Sequence, residues 1–461
     1  MMKKAFTTAH GDIRALPQET PPPINFRGVR ILAWAAYVFL NLLYLLACMQ
    51  RTAIPGAIFD NLQGDLGLLA SQVTGLGSAY VYCYAASQIF AGMLVDRYGG
   101  KNMGILGGVL LGIGLVLFSF ARSPTMLYVA RIVSAFGQAF NYLCVVKIAH
   151  LLFPPRQFGA LIGASMAIGF AGGILGTLPT QYIAQVAGWR PLFLGVGACC
   201  VISAVAMVFF LGALHERRRK SGAVTWRTLA NLFNDPGRFC FTIYDFWVYP
   251  SFFVLQAVLG QKFIQDWLGY SATTAARFTM LLTLFSIFTC LLGAPLMRLI
   301  GMRRMPVMLF AKGMPTITAI VMIVGIVYKL PAWIFLLCFV SMSLNQLASA
   351  AASALMSEIT DTRTIAFTAA VRNFFPYVGA GIMGGICGRI LDKFAPAEGA
   401  VGGIIHYPPE AYVRILCVML VFGIVGLALL SRVPETRGKH IYEDPGNREE
   451  GRGNREQGMG N

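Results

Sequence analysis

At 461 residues, with 56% hydrophobic and only 12% charged, the chain carries about half the charged share of an average soluble domain and cannot cover a water-exposed surface. Lipid must be the solvent for much of it, and backbone in lipid has to satisfy its own hydrogen bonds, which leaves helices or closed barrels. The net charge of +17 would suit nucleic acid. The basic residues fall in short segments between apolar runs, however, the pattern that orients helices during insertion, so no nucleic-acid partner is expected.

Of the N-terminal tail expected over 1–30, the first 25 or so residues are polar, end in Pro21-Pro22-Pro23 and hold no short apolar core followed by a small-residue cleavage site, so no secretory signal is read. Continuous rather than alternating apolar runs follow, each near the roughly 20 residues that a span requires. They fall at 31–58, 72–95, 101–121, 125–152, 158–184 and 190–214. A charged stretch from His215 to Lys220 and the segment Trp226 to Asp235 then form a linker over 215–239. Further runs lie at 240–262, 273–299, 306–328, 331–356, 364–390 and 411–432. The expected fold is all-α: two six-helix membrane bundles, 31–214 and 240–433, followed by a disordered tail over 434–461.

Basic residues concentrate on one side: Lys3, Lys4, Arg14, Arg27, Arg30, Arg97, Lys101, Arg156, Arg217 to Lys220, Arg298, Arg303 and Arg304. The other side carries fewer, chiefly Arg122, Arg190, Lys262 and Lys329. This places both termini in the cytoplasm. Ten cysteines sit inside apolar spans without the spacing of a zinc site or a disulfide framework, and no metal or cofactor is expected.

Two repeated bundles around a site near the bilayer midplane are the common plan of secondary transporters. Between the second and third runs the chain reads Gly92-Met-Leu-Val-Asp96-Arg97-Tyr-Gly99-Gly100-Lys101. This resembles the signature of the major facilitator superfamily, and the resemblance implies that Gly92, Asp96, Arg97, Gly99 and Lys101 form a cytoplasmic gate. The equivalent place in the second half, Gly293 to Arg304, keeps glycines and basic residues but has Met297 where the aspartate would stand, so an asymmetric latch is expected. Arg131 stands at the place of the family's buried arginine, as a structural or relay residue. Within the superfamily, Arg51-Thr-Ala-Ile-Pro55, Ser78-Ala-Tyr80 with Tyr84, Lys147 and Gly188-Trp189-Arg190 resemble the branch of bacterial organic-anion and sugar-phosphate permeases. In that branch an arginine of span one contacts an anionic substrate, and Arg51 matches it. The branch's second arginine, in span seven, is missing from Ile243-Tyr-Asp245-Phe-Trp247-Val-Tyr249. The resemblance implies a monomer in a bacterial inner membrane.

Charged side chains within spans cost at least about 2.5–3.5 kcal/mol on insertion scales and face a cavity or a partner. Arg51, Arg131, Lys147 and Arg372 are the basic ones, and Asp245 is the acidic one. An electropositive interior favours an anionic or zwitterionic organic solute, bound by Arg51 and Lys147 with Tyr80, Tyr84, Asn141, Tyr249, Gln256, Asn345 and Tyr377 completing the cavity. Asp245, placed opposite Arg51, would meet the amine of a zwitterion and serve as the coupling carboxylate for a proton or sodium gradient. If Asp245 is structural, exchange or facilitated diffusion takes its place. Pro434-Glu435-Thr436-Arg437-Gly438-Lys439 resembles a segment of sugar porters and keeps a sugar as the alternative. A non-transporting sensor on the same fold is the other. No nucleophile–base pair or phosphate-binding loop is present, so neither an enzyme nor an ATP-driven pump is expected.

Overall fold

The computed structural model describes residues 26–153, 155–211, 233–360, 365–396 and 404–439. The expected N-terminal tail up to residue 25, most of the linker and the tail beyond residue 439 lie outside them.

The regular elements are helices. The first half of the chain holds α1 (Phe26–Ala53), α2 (Phe59–Leu66), α3 (Ala70–Tyr98), α4 (Gly100–Phe120), α5 (Pro124–Leu152), α6 (Pro155–Leu175), α7 (Leu178–Val186) and α8 (Trp189–Leu211). The second half holds α9 (Pro236–Ala257), α10 (Gly260–Leu268), α11 (Ala272–Leu299), α12 (Met305–Val327), α13 (Ala332–Ser341), α14 (Ala348–Ile359), α15 (Ile365–Lys393) and α16 (Pro409–Leu430). Among the described residues ten helices, or eleven if the bent pair α9–α10 counts as one span, are long and apolar enough to cross a membrane. Helix α3 supplies the remaining span by length: its 29 residues reach about 43 Å at 1.5 Å per residue. It is polar because it faces the interior, where Thr74, Ser78, Tyr80 and Tyr84 are buried. Large apolar side chains such as Ile202, Phe209, Leu291 and Leu299 project from the outside of the bundle, the surface a multi-pass membrane protein presents to lipid.

Four spans depart from the continuous runs expected, span five by a turn at Gly176-Thr177 between α6 and α7. Span one is helical only to Ala53 and continues through a 3₁₀ turn, Gly56–Ile58, into α2. Span seven breaks after Ala257, and α10 turns away by 64°. Span ten is two α-helices joined by the 3₁₀ segment Met342–Leu347. Elsewhere helix starts are capped as the sequence dictates: Ser123, Asp235 and Ser271 accept from the backbone N–H of Met126, Arg238 and Thr274, filling orphan donors of a first turn.

The signature loop and its counterpart share one backbone requirement. Gly99 turns the chain from α3 into α4 at φ 93°, and Gly301 stands between α11 and α12 at φ 68°, a region that side chains with a Cβ avoid. In the second loop Met297 is buried, and the missing acid comes from elsewhere. Arg304 donates to both carboxylate oxygens of Glu358 at the end of α14, at 2.6 and 3.4 Å. Thr436 also bonds Glu358, and Glu435 accepts the backbone N–H groups of Arg304 and Met305, each at 2.9 Å. Residues 434–439 are therefore docked on the second half, and the disordered tail expected from Pro434 onward does not begin there. The sugar-porter-like hexamer thus acts here as a clamp between α12, α14 and the end of α16.

Between the halves, α3 packs against α15. Asp392 on α15 accepts from the backbone N–H of Ser71 at 3.2 Å, so a carboxylate of one half caps a helix start of the other. A Cβ at Gly388 would lie 2.0 Å from Thr74 Oγ1 and 2.7 Å from Ser71 Cα, leaving no room for a side chain.

Two outcomes follow. Burial pushes the Glu435 carboxyl up, but the N–H donors of Arg304, Met305 and Arg437 and the charge of Arg304 outweigh it and hold it below the usual carboxylate range. A depressed folded value means the clamp is fully present above the ordinary glutamate value of about 4.3 and is lost as pH falls through the lower one. Hydrogen–deuterium exchange at Arg304 and Met305, corrected for intrinsic rate, should rise below about pH 4 and should be fast at neutral pH in Glu435→Ala. In a background cleared of native thiols, Gly388→Val should wedge the halves apart and make a cysteine at position 78 reactive to a membrane-impermeant maleimide that does not label it otherwise.

Candidate functional site between the halves

The described polar contacts between the two halves run from the bond of Asn373 to Gln88 at 2.8 Å, one turn of α3 beyond Tyr84 toward the Gly99 loop, to the end opposite that loop. At that far end Lys262 of α10 is 1% exposed and pairs with Asp60 of α2 at 2.9 Å and with Asp266 at 3.0 Å. Asp266 also accepts from Tyr412 at 2.5 Å and from the Tyr407 backbone at 3.2 Å, and it meets His406 at 2.9 Å. Gln63 donates to Tyr407 at 2.9 Å. Lys262 was expected in an exposed turn and Asp245 as the acid within the spans. The break after Ala257 turns α10 inward instead, and Lys262 and Asp266 become a buried ion-pair network that joins the halves. Nearby, Trp189 donates to Asp65 at 2.7 Å, and Arg190 donates to the carbonyls of Ser119 and Ala121 at 2.9 and 2.7 Å. The Gly188-Trp189-Arg190 motif thus caps the end of α4.

Below this seal lies Arg51, near the end of α1. Its Nη1 donates to Tyr377 Oη of α15 at 3.3 Å. Tyr377 meets Tyr84 of α3 edge-on at 5.0 Å between ring centroids and Tyr249 of α9 at 5.7 Å. Among the described residues no carboxylate lies within ion-pair distance of Arg51. The result is a guanidinium at the seam between the halves, walled by phenols from both and matched by no fixed negative charge. The structure brings together four residues singled out for binding: Arg51, Tyr84, Tyr249 and Tyr377.

The other candidates lie elsewhere. Arg131 is buried within the first half, where it donates to Gln50 Oε1, to the Ile54 carbonyl at 3.2 Å and to the Leu76 carbonyl at 3.5 Å, with its guanidinium 4.1 Å from the Tyr80 ring centroid. Tyr80 belongs to this same network through Gln50 and Gln138, one stacked ring away from Tyr84 at 6.4 Å. Lys147 donates to the Val95 carbonyl at 2.6 Å, beside the signature loop and not beside Arg51. Asn141 faces α4, where Gly107 leaves it space. Gln256 donates to Thr283 at 3.2 Å, and Asn345 is buried in the 3₁₀ segment of span ten. Of the gate residues, Gly99 makes the turn and Arg97 is exposed, while the side chain of Asp96 lies outside those described.

Asp245 does not stand opposite Arg51 as an open carboxylate. Its Oδ1 pairs with Lys312 of α12 at 2.9 Å and its Oδ2 with Arg372 of α15 at 3.0 Å, and Arg372 also donates to Tyr244 at 3.0 Å. Lys312, inside α12, was missed from the sequence. A charge in mid-span is the signal that finds it. The cluster holds two cations and one anion, so it too carries a positive surplus.

A twelve-span, two-half helical bundle with a charged centre sealed at one end is the architecture of a membrane carrier. The family model for the major facilitator superfamily matches residues 40–384, and the chain belongs to that superfamily. It is 29% identical over 169 residues to a probable sulfoacetate transporter of Cupriavidus necator, covering 37% of this chain and 39% of that protein. It is 28% identical over 179 residues to monocarboxylate transporter 6 of Mus musculus, covering 37% and 38%. The chain thus spans well under half the length of these relatives. A bacterial homolog of the human lysosomal transporter Spinster, solved inward-facing and unoccupied, shares the fold with a TM-score of 0.66 at 16% identity, over 88% of this chain and 97% of that one.

The two buried arginines should separate in stability measurements. Arg131→Met leaves Gln50 Oε1 and the Ile54 carbonyl without the donor that Arg131 supplies, a loss of about 1–3 kcal/mol per orphaned group, and should lower the melting temperature in detergent by several degrees. Arg51→Gln removes a charge with no fixed counter-charge and should leave the melting temperature unchanged or raise it.

Proposed function

We propose that this protein moves a small organic anion across a membrane by alternating access of a site between its two halves, with Arg51 as the counter-charge to the anionic group. The observation that carries the reading is the Arg51 guanidinium at the seam, bonded to Tyr377 and facing no carboxylate among the described residues. An unmatched charge at membrane depth is costly, and a carboxylate or sulfonate entering the site would relieve that cost with charge-assisted hydrogen bonds where water competes weakly. Tyr84, Tyr249 and Tyr377 would supply further donors and ring edges. The names of the two relatives, a sulfoacetate and a monocarboxylate transporter, point to the same chemistry. The positive surplus of the Asp245 cluster supports an anion over a zwitterion, because both oxygens that would meet an amine are already paired.

The excess of lysine and arginine in the Gly99-loop segments supports a cytoplasmic location for that end. The Lys262 network then closes the outer end, and the site faces the cytoplasm. For coupling, Asp245 is the carboxylate whose pairing with Lys312 and Arg372 would change during the cycle, in exchange for a proton or sodium ion.

Proteoliposome uptake tests the reading with a panel of short carboxylates and sulfonates, sulfoacetate included. Saturable uptake of at least one is expected, with Arg51→Gln lowering it about tenfold or more, as loss of a charged hydrogen bond requires, and Arg51→Lys retaining part. Uptake unchanged in Arg51→Gln would remove Arg51 from substrate binding. An inward proton or sodium gradient should stimulate uptake by the native protein and not by Asp245→Asn.

A further inference from the structure

Resting on the assignment of Arg51 as an anion contact, we propose that Arg372 forms a second anion subsite and that the substrate is a short dianion, one acidic group on each arginine. Helix α9 sets the spacing. Asp245 and Tyr249 stand one turn apart on the same face of it, and they touch Arg372 and Tyr377 of α15 respectively. Since Arg51 bonds Tyr377, the two arginines contact partners that stand on successive turns of α9, about 6 Å apart along its axis, the rise of four residues. A two- to four-carbon chain with an acidic group at each end bridges such a gap.

The chemistry of Arg372 supports the assignment. Asp245 is shared between Lys312 and Arg372, so their cluster keeps one positive charge beyond what it neutralises. Arg372 uses Nη2 for Asp245 and for Tyr244, at 3.0 Å each, whereas its Nε is buried with no hydrogen-bond partner. A buried N–H without an acceptor is unfavourable in the empty site. The Phe241 ring lies 4.7 Å from the guanidinium, and with Nη2 committed to Asp245 and Tyr244 the donor left for a planar or tetrahedral oxyanion is the Nε–H. Lys312 has a positioning part: by holding the other oxygen of Asp245 it keeps that carboxylate from neutralising Arg372 alone. The second arginine absent from span seven is in this way supplied from α15, packed against the same helix.

Calorimetric titration of the purified protein at pH 7.5 with propionate and butyrate, and with malonate, succinate, glutarate and sulfoacetate, tests the pair. One of the dianions is expected to bind at one per chain and at least about tenfold more tightly than butyrate, the margin of one further charge-assisted contact. Arg372→Gln should bring that ratio towards one, Arg372→Lys should keep part of it, and Arg51→Gln should weaken both ligand types. The second subsite is overturned by a native ratio near one, by a ratio that survives in Arg372→Gln, by two butyrates per chain without a dianion advantage, or by no dianion binding. Butyrate binding that survives Arg51→Gln overturns instead the reading of Arg51 on which the pair rests, so the two failures differ. Folding of each variant is read from its gel-filtration profile, and the lysine substitution keeps the charge if the glutamine one disrupts the Asp245 cluster.

Discussion

Inside a bilayer there is no water to take up a charge, so every ionised side chain has to find its counterpart within the protein. Three groups meet that condition with fixed partners: Asp60, Lys262 and Asp266 at the far end, Asp245, Lys312 and Arg372 in the second half, and Arg304 with Glu358 beside the Gly99-loop end. Arg131 meets it with neutral oxygens and the Tyr80 ring. Arg51 is the exception among these. Its setting of phenols leaves room for a charge that arrives from outside, and that exception is what singles out the site.

The same condition shapes the seal. Ion pairs between halves are poor sources of stability, since the desolvation they require offsets much of their attraction, but they are strongly directional and cannot be half made. The Lys262 network and the Asp392 cap on α3 hold one end of the seam closed with contacts that are lost together when the halves part. Glycine at 388 permits the close approach that brings those groups within reach. At the opposite end the second half is clamped to itself, by Glu358 and Glu435 on the Arg304 corner, and that half keeps its shape while the seam changes.

Much of this was legible in the chain. Apolar length and the Gly92–Lys101 loop gave the bundle, and the rarity of charge in apolar runs drew attention to Arg51, Arg131, Asp245 and Arg372. Tyr84, Tyr249 and Tyr377 were named with Arg51, and they converge on it. Three readings of charged residues went astray, each for a physical reason. Lys262 was taken for a turn residue because hydropathy does not reveal a 64° bend. Lys147 was grouped with Arg51 because charge alone carries no address along the helix axis, and its amine reaches the Val95 carbonyl. Asp245 was placed opposite Arg51 because the cation that meets its Oδ1, Lys312, lies two spans further along the chain.

By itself the sequence determined what depends on composition and short-range order: that lipid is the solvent, where the spans fall along the chain, and that the interior is basic. These follow from transfer free energies and local backbone rules, which act over a few neighbouring residues. Only the tertiary structure decided which charges cancel. Pairing is set by distances of about 3 Å between side chains far apart in the chain, and a helix rotated by one residue would turn each of them about 100° away. That choice of partners, more than the number of charges, leaves Arg51 unmatched and Arg372 with an idle donor.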